Sequence, residues 1–325
     1  TFMGAVPRVY EKVYVKLQAS FAAKLEKPLL GNLVRWALDV GKRCSVELQA
    51  GRTPMGWLAV EQAIADKLIF SKVKATFGGR LKYFISGGAP LAREIGEFFH
   101  SAGVLILEGY GLTETTAATH VNRPEAFRFG TVGRALPGVE VKLAEDGEIL
   151  IKGENVLSCY YKNAAATSEV LDDAGWLRTG DVGVIEDGFL RITDRKKDII
   201  VTAGGKNVAP QNHENTFKAQ CPYVSQVMVH GDQRPFLSAL ITLNEEMVVA
   251  WAKAKGLVYR DLADLAGHAD VIQLIQAAVD RLNSGLASYD TIKKFRVLAQ
   301  DFSLETGELT PSLKVKRKFC AEKYK

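Results

Sequence analysis

Residues 80–111, "RLKYFISGGAPLAREIGEFFHSAGVLILEGYG", narrow the choice of fold more than any other stretch of the chain. Arg80 to Ser86 is apolar and β-compatible and ends in Gly87-Gly88-Ala89-Pro90. Leu91, Ile95, Phe98 and Phe99 then fall on one helix face, and Gly103 stops it. Val104 to Glu108 reads as a short buried strand, followed by Gly109-Tyr110-Gly111. Strand, helix, strand at this spacing requires a crossover, so the two strands are expected to be parallel. Their carboxyl ends then share one sheet edge, where open α/β sheets bind ligands. The loops "SGGAP" and "GYGLTETT" both leave from that edge.

On the amino-terminal side, residues 1 to about 77 read as mostly helical. Tyr10, Tyr14, Leu17, Phe21 and Leu25 form one face, with a softer stretch at "LEKPLLGN" and a break at "AGRTPMG". Beyond residue 130 the pattern turns to hairpins, with Asp-Gly turns at Asp146-Gly147 and Asp187-Gly188. After the charged run "DRKKD" comes an apolar strand "IIVT" and a helix from Pro210. Strands at "SQVMVHG" and "FLSALITL" and two helices over 245–285 complete a mixed α+β set. The expected fold class is α/β for residues 1–196, followed by a smaller α+β domain at 197–325. A chain of 325 residues is long enough for two cores.

Charge excludes little but weighs against one class. Forty-two basic and 37 acidic residues are interspersed and leave +5, so a nucleic-acid partner is not expected. Cys44, Cys159, Cys221 and Cys320 lie far apart and make no ligand-spaced set with the histidines. Neither a zinc site nor a disulfide framework is indicated, and a reducing compartment is the default. No run is long enough to span a bilayer.

Several short segments carry chemistry. In "GYGLTETT", glycines allow close backbone approach, Tyr110 offers a flat face, and Thr113 and Glu114 suit phosphate and Mg²⁺. A tight strand-to-loop turn explains the same residues. Asp181, at the end of "GWLRTGD", could accept two ribose hydroxyls or mark the start of a strand. Asp194, Arg195, Lys196, Lys197 and Asp198 gather ahead of Gly204-Gly205, where a solvated linker is the plainer reading. The segment "LTPSLKVKRKF" holds Lys314, Lys316, Arg317 and Lys318 and reads by composition as a basic tail.

The order of these segments is more specific than any one of them. SGGAPL, GYGLTE, GWLRTGD, GFLRITDRKKDII-TAGGKNVAP and LTPSLKVKR, in that sequence, resemble the adenylate-forming superfamily. "VPRVYEKVY", "SGGAPL" and "LTPSLKVKR" look most like its bacterial-type long-chain fatty-acid–CoA ligases. The resemblance implies the carboxyl-terminal part of a large AMP-binding domain, a parallel βαβ sheet plus a hairpin-rich subdomain, then a small mobile α+β domain. It implies ATP-dependent activation of a long-chain fatty acid to acyl-adenylate and transfer to coenzyme A, with Mg²⁺ as cofactor; a ligase for another acid, an adenylate-only member and a non-catalytic nucleotide- or acyl-binding protein are the alternatives. A cytoplasmic protein is expected, with peripheral contact at the inner face of the membrane as an option. Gly87, Gly88, Ala89 and Pro90 would line the adenine and acyl pocket, and Gly109, Tyr110 and Gly111 would lie against the adenine. Thr113 would contact phosphate and Glu114 would hold Mg²⁺. Asp181 and Arg195 would grip the ribose, Lys197 would be the hinge, and Gly204 and Gly205 would approach the pantetheine arm. Lys314 matches the adenylation lysine; Lys316, Arg317 and Lys318 match no such position and are expected to be solvated. His213, where relatives carry an apolar residue, is expected to be a partly exposed helix residue. The superfamily's upstream Ser/Thr/Gly-rich phosphate loop has no counterpart here. The chain therefore reads as a fragment whose partner is the missing amino-terminal half, with apolar surface left exposed.

Overall fold

The computed structural model describes residues 1–25, 28–311 and 313–325. It divides into two compact units, Thr1–Ile192 and Thr193–Lys325, which are taken one at a time.

The first unit opens with a strand that sequence reading misses. β1 (Phe2–Ala5) pairs in parallel with β2 (Tyr83–Ser86), some eighty residues on. Phe2 and Met3 are exposed, so β1 shows no alternation to read. Helices follow as expected: α1 (Pro7–Leu25), α2 (Pro28–Gln49), α3 (Trp57–Ala65) and, after a π turn at Asp66–Phe70, α4 (Ser71–Thr76). Tyr10 and Phe21 of the α1 face are buried, and the Tyr10 hydroxyl donates to Ile85 O at 2.8 Å. Glu26 and Lys27 of the softer stretch lie outside the described residues. Trp57, Val60, Ile64 and Leu68 stand exposed along α3 and the π turn, and Met55 is exposed just ahead of them.

The crossover is as its spacing predicts. α5 (Arg93–Ser101) links β2 to β3 (Leu105–Leu112), and the strands run parallel from Tyr83↔Leu105 to Ser86↔Glu108. Leu91 precedes the helix and is buried beside it. Of the two readings of Gly109-Tyr110-Gly111, the tight turn fails: these residues continue β3. Here β3 leaves β2 and pairs antiparallel with β4 (Ala117–Val121), which then pairs with β5 (Arg134–Ala135). Glycine at 111 is what lets β4 come close: a Cβ there would lie 1.6 Å from Ala117 O. A second sheet has the order β6 (Glu140–Leu143), β7 (Glu148–Lys152), β8 (Leu177–Glu186), β9 (Phe189–Arg195), with α6 (Ala164–Val170) between β7 and β8. Asp187 and Gly188 both take positive φ, 53° and 79°, the mirror-image turn that suits strand twist. Tyr110, Val132, Ile149, Ile151 and Leu190 form one buried cluster spanning β3, β7 and β9.

In the second unit β10 (Ile200–Val201) and β11 (Asn207–Val208) form a small hairpin ahead of α7 (Pro210–Gln220). Asp194 Oδ2 accepts from Gln211 N at 3.1 Å and so satisfies an amide in the first turn of α7. β12 (Val224–His230), β13 (Leu237–Leu243) and β14 (Ile292–Leu298) make the sheet, antiparallel then parallel. Where two helices were expected, three occur: α8 (Glu245–Ala254), α9 (Leu262–Gly267) and α10 (Ala269–Asn283). Asp261 supplies the extra start by accepting from Asp264 N at 2.8 Å. Phe217, Leu237, Ile241, Val248, Leu265 and Ile275 belong to the core. The chain closes with α11 (Arg317–Lys323).

Two expectations fail in this unit. His213 is buried, its ring nitrogens 3.2 Å from Ala209 O and 2.9 Å from Asp290 O. Arg317 is not a solvated tail residue. Its guanidinium meets Glu214 Oε2 at 2.5 Å and Val229 O at 3.3 Å, while Glu214 Oε1 accepts from Val229 N. Lys316 and Lys318 are exposed, as expected.

Candidate active site

In the first unit the structure joins two residues that the sequence offered separately. The Tyr110 hydroxyl donates to Asp181 Oδ2 at 2.6 Å, across 71 residues, and both side chains are buried. Asp181 sits within β8, not at its start. The register between β7 and β8 jumps there, with Glu148 opposite Val182 but Leu150 opposite Arg178. The irregularity puts Gly180 at φ 70° and lets Gly180 N donate to Glu148 Oε1 at 3.0 Å. Asp181 N donates to Thr179 Oγ1 at 3.1 Å, and that hydroxyl donates to Ile149 O at 2.7 Å. A bulge with its backbone satisfied in this way re-aims one side chain without loosening the sheet.

The loop after β2 lies at the predicted edge. Gly87 and Ala89 are half-buried, Gly88 and Pro90 exposed. Glu108, the last β3 residue paired to β2, holds the end of that loop: its Oε2 accepts from Leu91 N at 3.1 Å. Burial pushes the Glu108 carboxyl up to about 7 against the pull of the Leu91 and Gly130 amides.

Thr113 and Glu114 occupy a 3-10 turn, Thr113–Thr115, between β3 and β4. Thr113 is exposed and Glu114 half-buried. Tyr160, which no motif pointed to, donates its hydroxyl to Glu114 Oε1 at 2.8 Å, and Leu157 N donates to Glu114 O at the same distance. The hydrogen bond to Glu114 raises the Tyr160 phenol. Thr116 and Ala117 follow at φ 50° and 79°, left-handed conformations disfavoured by their β-carbons. Asn155 braces the turn, accepting from Thr116 Oγ1 through its carbonyl at 2.9 Å and donating to Thr115 O at 3.0 Å. Strain held by neighbouring hydrogen bonds is characteristic of sites that position a ligand. His120 lies opposite Tyr110 in register, buried, and burial holds its imidazole neutral with a pKa down to about 4.

Arg195, the last residue of β9, is half-buried, and Lys197 is exposed in the turn that follows. Gly204 and Gly205 are exposed in the β10–β11 turn, with Gly205 at φ 72°. Ala203 N donates to Arg234 O at 2.9 Å and ties this turn to the next loop. Lys314 is exposed on a hairpin closed by the Leu309↔Val315 bridge; Ser312 of that segment lies outside the described residues.

Among the described residues no group of three or more His, Cys, Asp or Glu side chains gathers as a metal site. A lone carboxylate still suits Mg²⁺ that arrives with a nucleotide, because this ion takes one or two carboxylates and completes its shell with phosphate and water. Glu114, with one oxygen engaged by Tyr160, fits that description. No helix among the described residues is long and apolar enough to cross a membrane.

Comparison with known proteins bears on the same segments. Residues 1–161 match the AMP-binding enzyme family, and residues 197–325 match the AMP-binding enzyme C-terminal domain. The chain is 42% identical over its whole length to long-chain-fatty-acid–CoA ligase FadD15 of Mycobacterium bovis, covering 53% of that protein. It is 33% identical over 98% of its length to the peroxisomal long chain acyl-CoA synthetase 7 of Arabidopsis thaliana, covering 46% of it. The chain thus spans about half the length of these curated relatives. Among solved structures, the adenylation domain of a carboxylate reductase from Mycobacterium chelonae superposes with a TM-score of 0.69 at 27% identity. That match covers all of this chain and 45% of the other.

Proposed function

Because the chain belongs to the AMP-binding enzyme family, we propose that it serves ATP-dependent activation of a long-chain fatty acid and its transfer to coenzyme A. The observation that carries this reading is the Tyr110–Asp181 hydrogen bond, which unites the residue assigned to adenine with the residue assigned to ribose. In the first step a carboxylate oxygen attacks the α-phosphorus of ATP. The bond to the β-phosphate bridging oxygen breaks, and pyrophosphate leaves. In the second step the coenzyme thiol, losing its proton, attacks the acyl carbon and AMP departs.

Gly87–Pro90 and Gly109–Gly111 shape the adenine and acyl side. Asp181 and Arg195 serve the ribose, and Thr113 the phosphate. Mg²⁺ held by Glu114 would offset triphosphate charge as the carboxylate approaches. Lys314 supplies a cation where charge builds on the α-phosphate, stabilising the transition state more than the ground state. Lys197 serves as the hinge, and Gly204 and Gly205 leave room for the pantetheine arm. Fatty-acid chemistry rests on the ligase relatives.

The test extends the chain to the length of those relatives and follows pyrophosphate release and thioester formation with palmitate, each with and without CoA. Adenylate without thioester would leave an adenylate-only enzyme and sink the CoA step. On the chain itself, Asp181→Asn is expected to weaken AMP binding by about 2 kcal/mol, the scale of a hydrogen bond to a charged group. Unchanged affinity by calorimetry would remove Asp181 from the ribose site.

A further inference from the structure

We propose that Glu308 is a positioning residue for Lys314, tying the carboxyl-terminal helix to the base of the hairpin that carries the lysine. The inference rests on the adenylation role given to Lys314 above.

Glu308 is 1% exposed. Its Oε1 accepts from Lys323 Nζ at 2.6 Å and from the Tyr324 hydroxyl at 2.9 Å, both at the end of α11. Its Oε2 accepts from the Thr306 hydroxyl and from Ser303 N. One carboxylate therefore gathers four donors, two from the turn that precedes the hairpin and two from the last residues of the chain.

The backbone of the same residue begins the hairpin. Glu308 O accepts from Lys316 N at 2.7 Å, Leu309 bridges Val315, and Thr310 N donates to Lys314 O at 2.8 Å. Lys314 N in turn donates to Thr310 Oγ1 at 3.0 Å. Two backbone hydrogen bonds thus join the strand that carries the lysine to the strand that begins at the buried carboxylate. Packing supports the arrangement: Leu309 and Cys320 share a cluster with Met228, Leu298 and Phe302, against which Val315 and Tyr324 lie. Burial alone would raise the Glu308 carboxyl, but Lys323, Thr306, its own amide and Tyr324 outweigh it and hold the group down to about 2. It stays ionised at neutral pH, and that ionisation is what pulls four donors inward.

A lysine on a surface hairpin gains little from such a clamp unless its position matters. Displacement of a reacting group by about 1 Å can cost on the order of a hundredfold in rate. A residue that only stabilised the unit would affect every step alike.

The experiment begins with this chain and residue-resolved amide hydrogen exchange. Glu308→Gln keeps the shape and removes the charge; it is expected to speed exchange at Thr310, Lys314 and Lys316 by about tenfold or more, while β12 and β13 amides keep their protection. Tyr324→Phe, a milder change, is expected to do the same to a smaller degree. Unchanged exchange in both variants overturns the inference, and so does equal loss of protection throughout the unit. In the chain extended to its relatives' length, Glu308→Gln is expected to slow adenylation by about tenfold or more with KM for ATP little altered. Thioester formation from supplied acyl-adenylate is expected to persist, and equal loss of both steps overturns the positioning role. Lys314→Ala separates the two ideas: if it spares adenylation, the reading of Lys314 falls, whatever the exchange data show for Glu308.

Discussion

Glu108 in the first unit and Glu308 in the second are both buried glutamates, exposed by 8% and 1%. The protein treats them in opposite ways. Glu108 meets two backbone amides, from Leu91 and Gly130, and burial wins: its carboxyl rises to about 7. Glu308 meets an ammonium, a phenol and a hydroxyl and falls to about 2. Burial raises both carboxyls, and the number and charge of the donors decide whether that rise is offset. The difference also separates two ways of holding a loop. Glu308 clamps its hairpin at any pH near neutrality, whereas Glu108 grips the 87–91 loop with a charge it half loses there.

The largest effect is expected from Glu308→Ala, which strands Lys323 and Tyr324. Breaking a buried pair costs about 3–5 kcal/mol, and because the Lys323 side chain is 36% exposed, about 2–3 is expected here. Denaturant unfolding followed by exchange in β12 and β13 checks it; a loss below about 1 kcal/mol would make the clamp ornamental.

Next comes pH. A carboxyl lowered from 4.5 to about 2 gives stability that is present above 4.5 and lost as pH falls through 2. One raised to about 7 gives stability that is present below 4.5 and lost as pH rises through 7. The two units should therefore respond to acid with opposite signs at these residues. His100 and His120, both lowered to about 4 by burial, work against Glu108. Their share is present above 6.5 and lost as pH falls through 4. Glu108→Gln removes one side of that balance, so the first unit's stability is expected to rise more steeply between pH 4.5 and 6.5. An unchanged slope in pH-dependent exchange would show that Glu108 titrates normally.

Smaller still, Tyr324→Phe leaves Lys323 in place and is expected to cost about 1 kcal/mol, the worth of one hydrogen bond. A cost equal to that of Glu308→Ala would mean that the phenol, not the ammonium, holds the carboxylate down.

How far the sequence could be read follows from the range of the forces involved. The βαβ unit and the Asp-Gly hairpins were legible because periodicity and turn chemistry are local. β1 was not, because its partner is β2 and its own four residues show no pattern. Gly109–Gly111 looked like a turn because glycine usually marks one; in the fold Gly111 admits the β4 backbone instead. The residues of the candidate site were legible by motif, but the bulge that turns Asp181 toward Tyr110 depends on strand register, which no single segment encodes. The carboxyl-terminal segment misled most. Four cations in five residues look solvated, yet Arg317 finds Glu214 more than a hundred residues away.

Glu114 offers the last and smallest comparison, a carboxylate that is only half-buried. It accepts one hydroxyl, from Tyr160. On the proposed reading Glu114 takes up a metal with its nucleotide, which requires a fixed orientation and an accessible oxygen, and one neutral partner provides both. An ammonium like that of Lys323 would compete with Mg²⁺, and full burial like that of Glu108 would favour the neutral acid. Tyr160→Phe is therefore expected to change stability by only about 0.5–1 kcal/mol. Its larger mark should be on metal use: the Mg²⁺ concentration at half-maximal nucleotide binding is expected to rise severalfold, as supporting partners of a metal-binding carboxylate tune its affinity. Binding without Mg²⁺ is expected to stay the same. A loss of affinity that ignores Mg²⁺ would show that Tyr160 supports the strained turn at Thr116 and Ala117 rather than the orientation of Glu114.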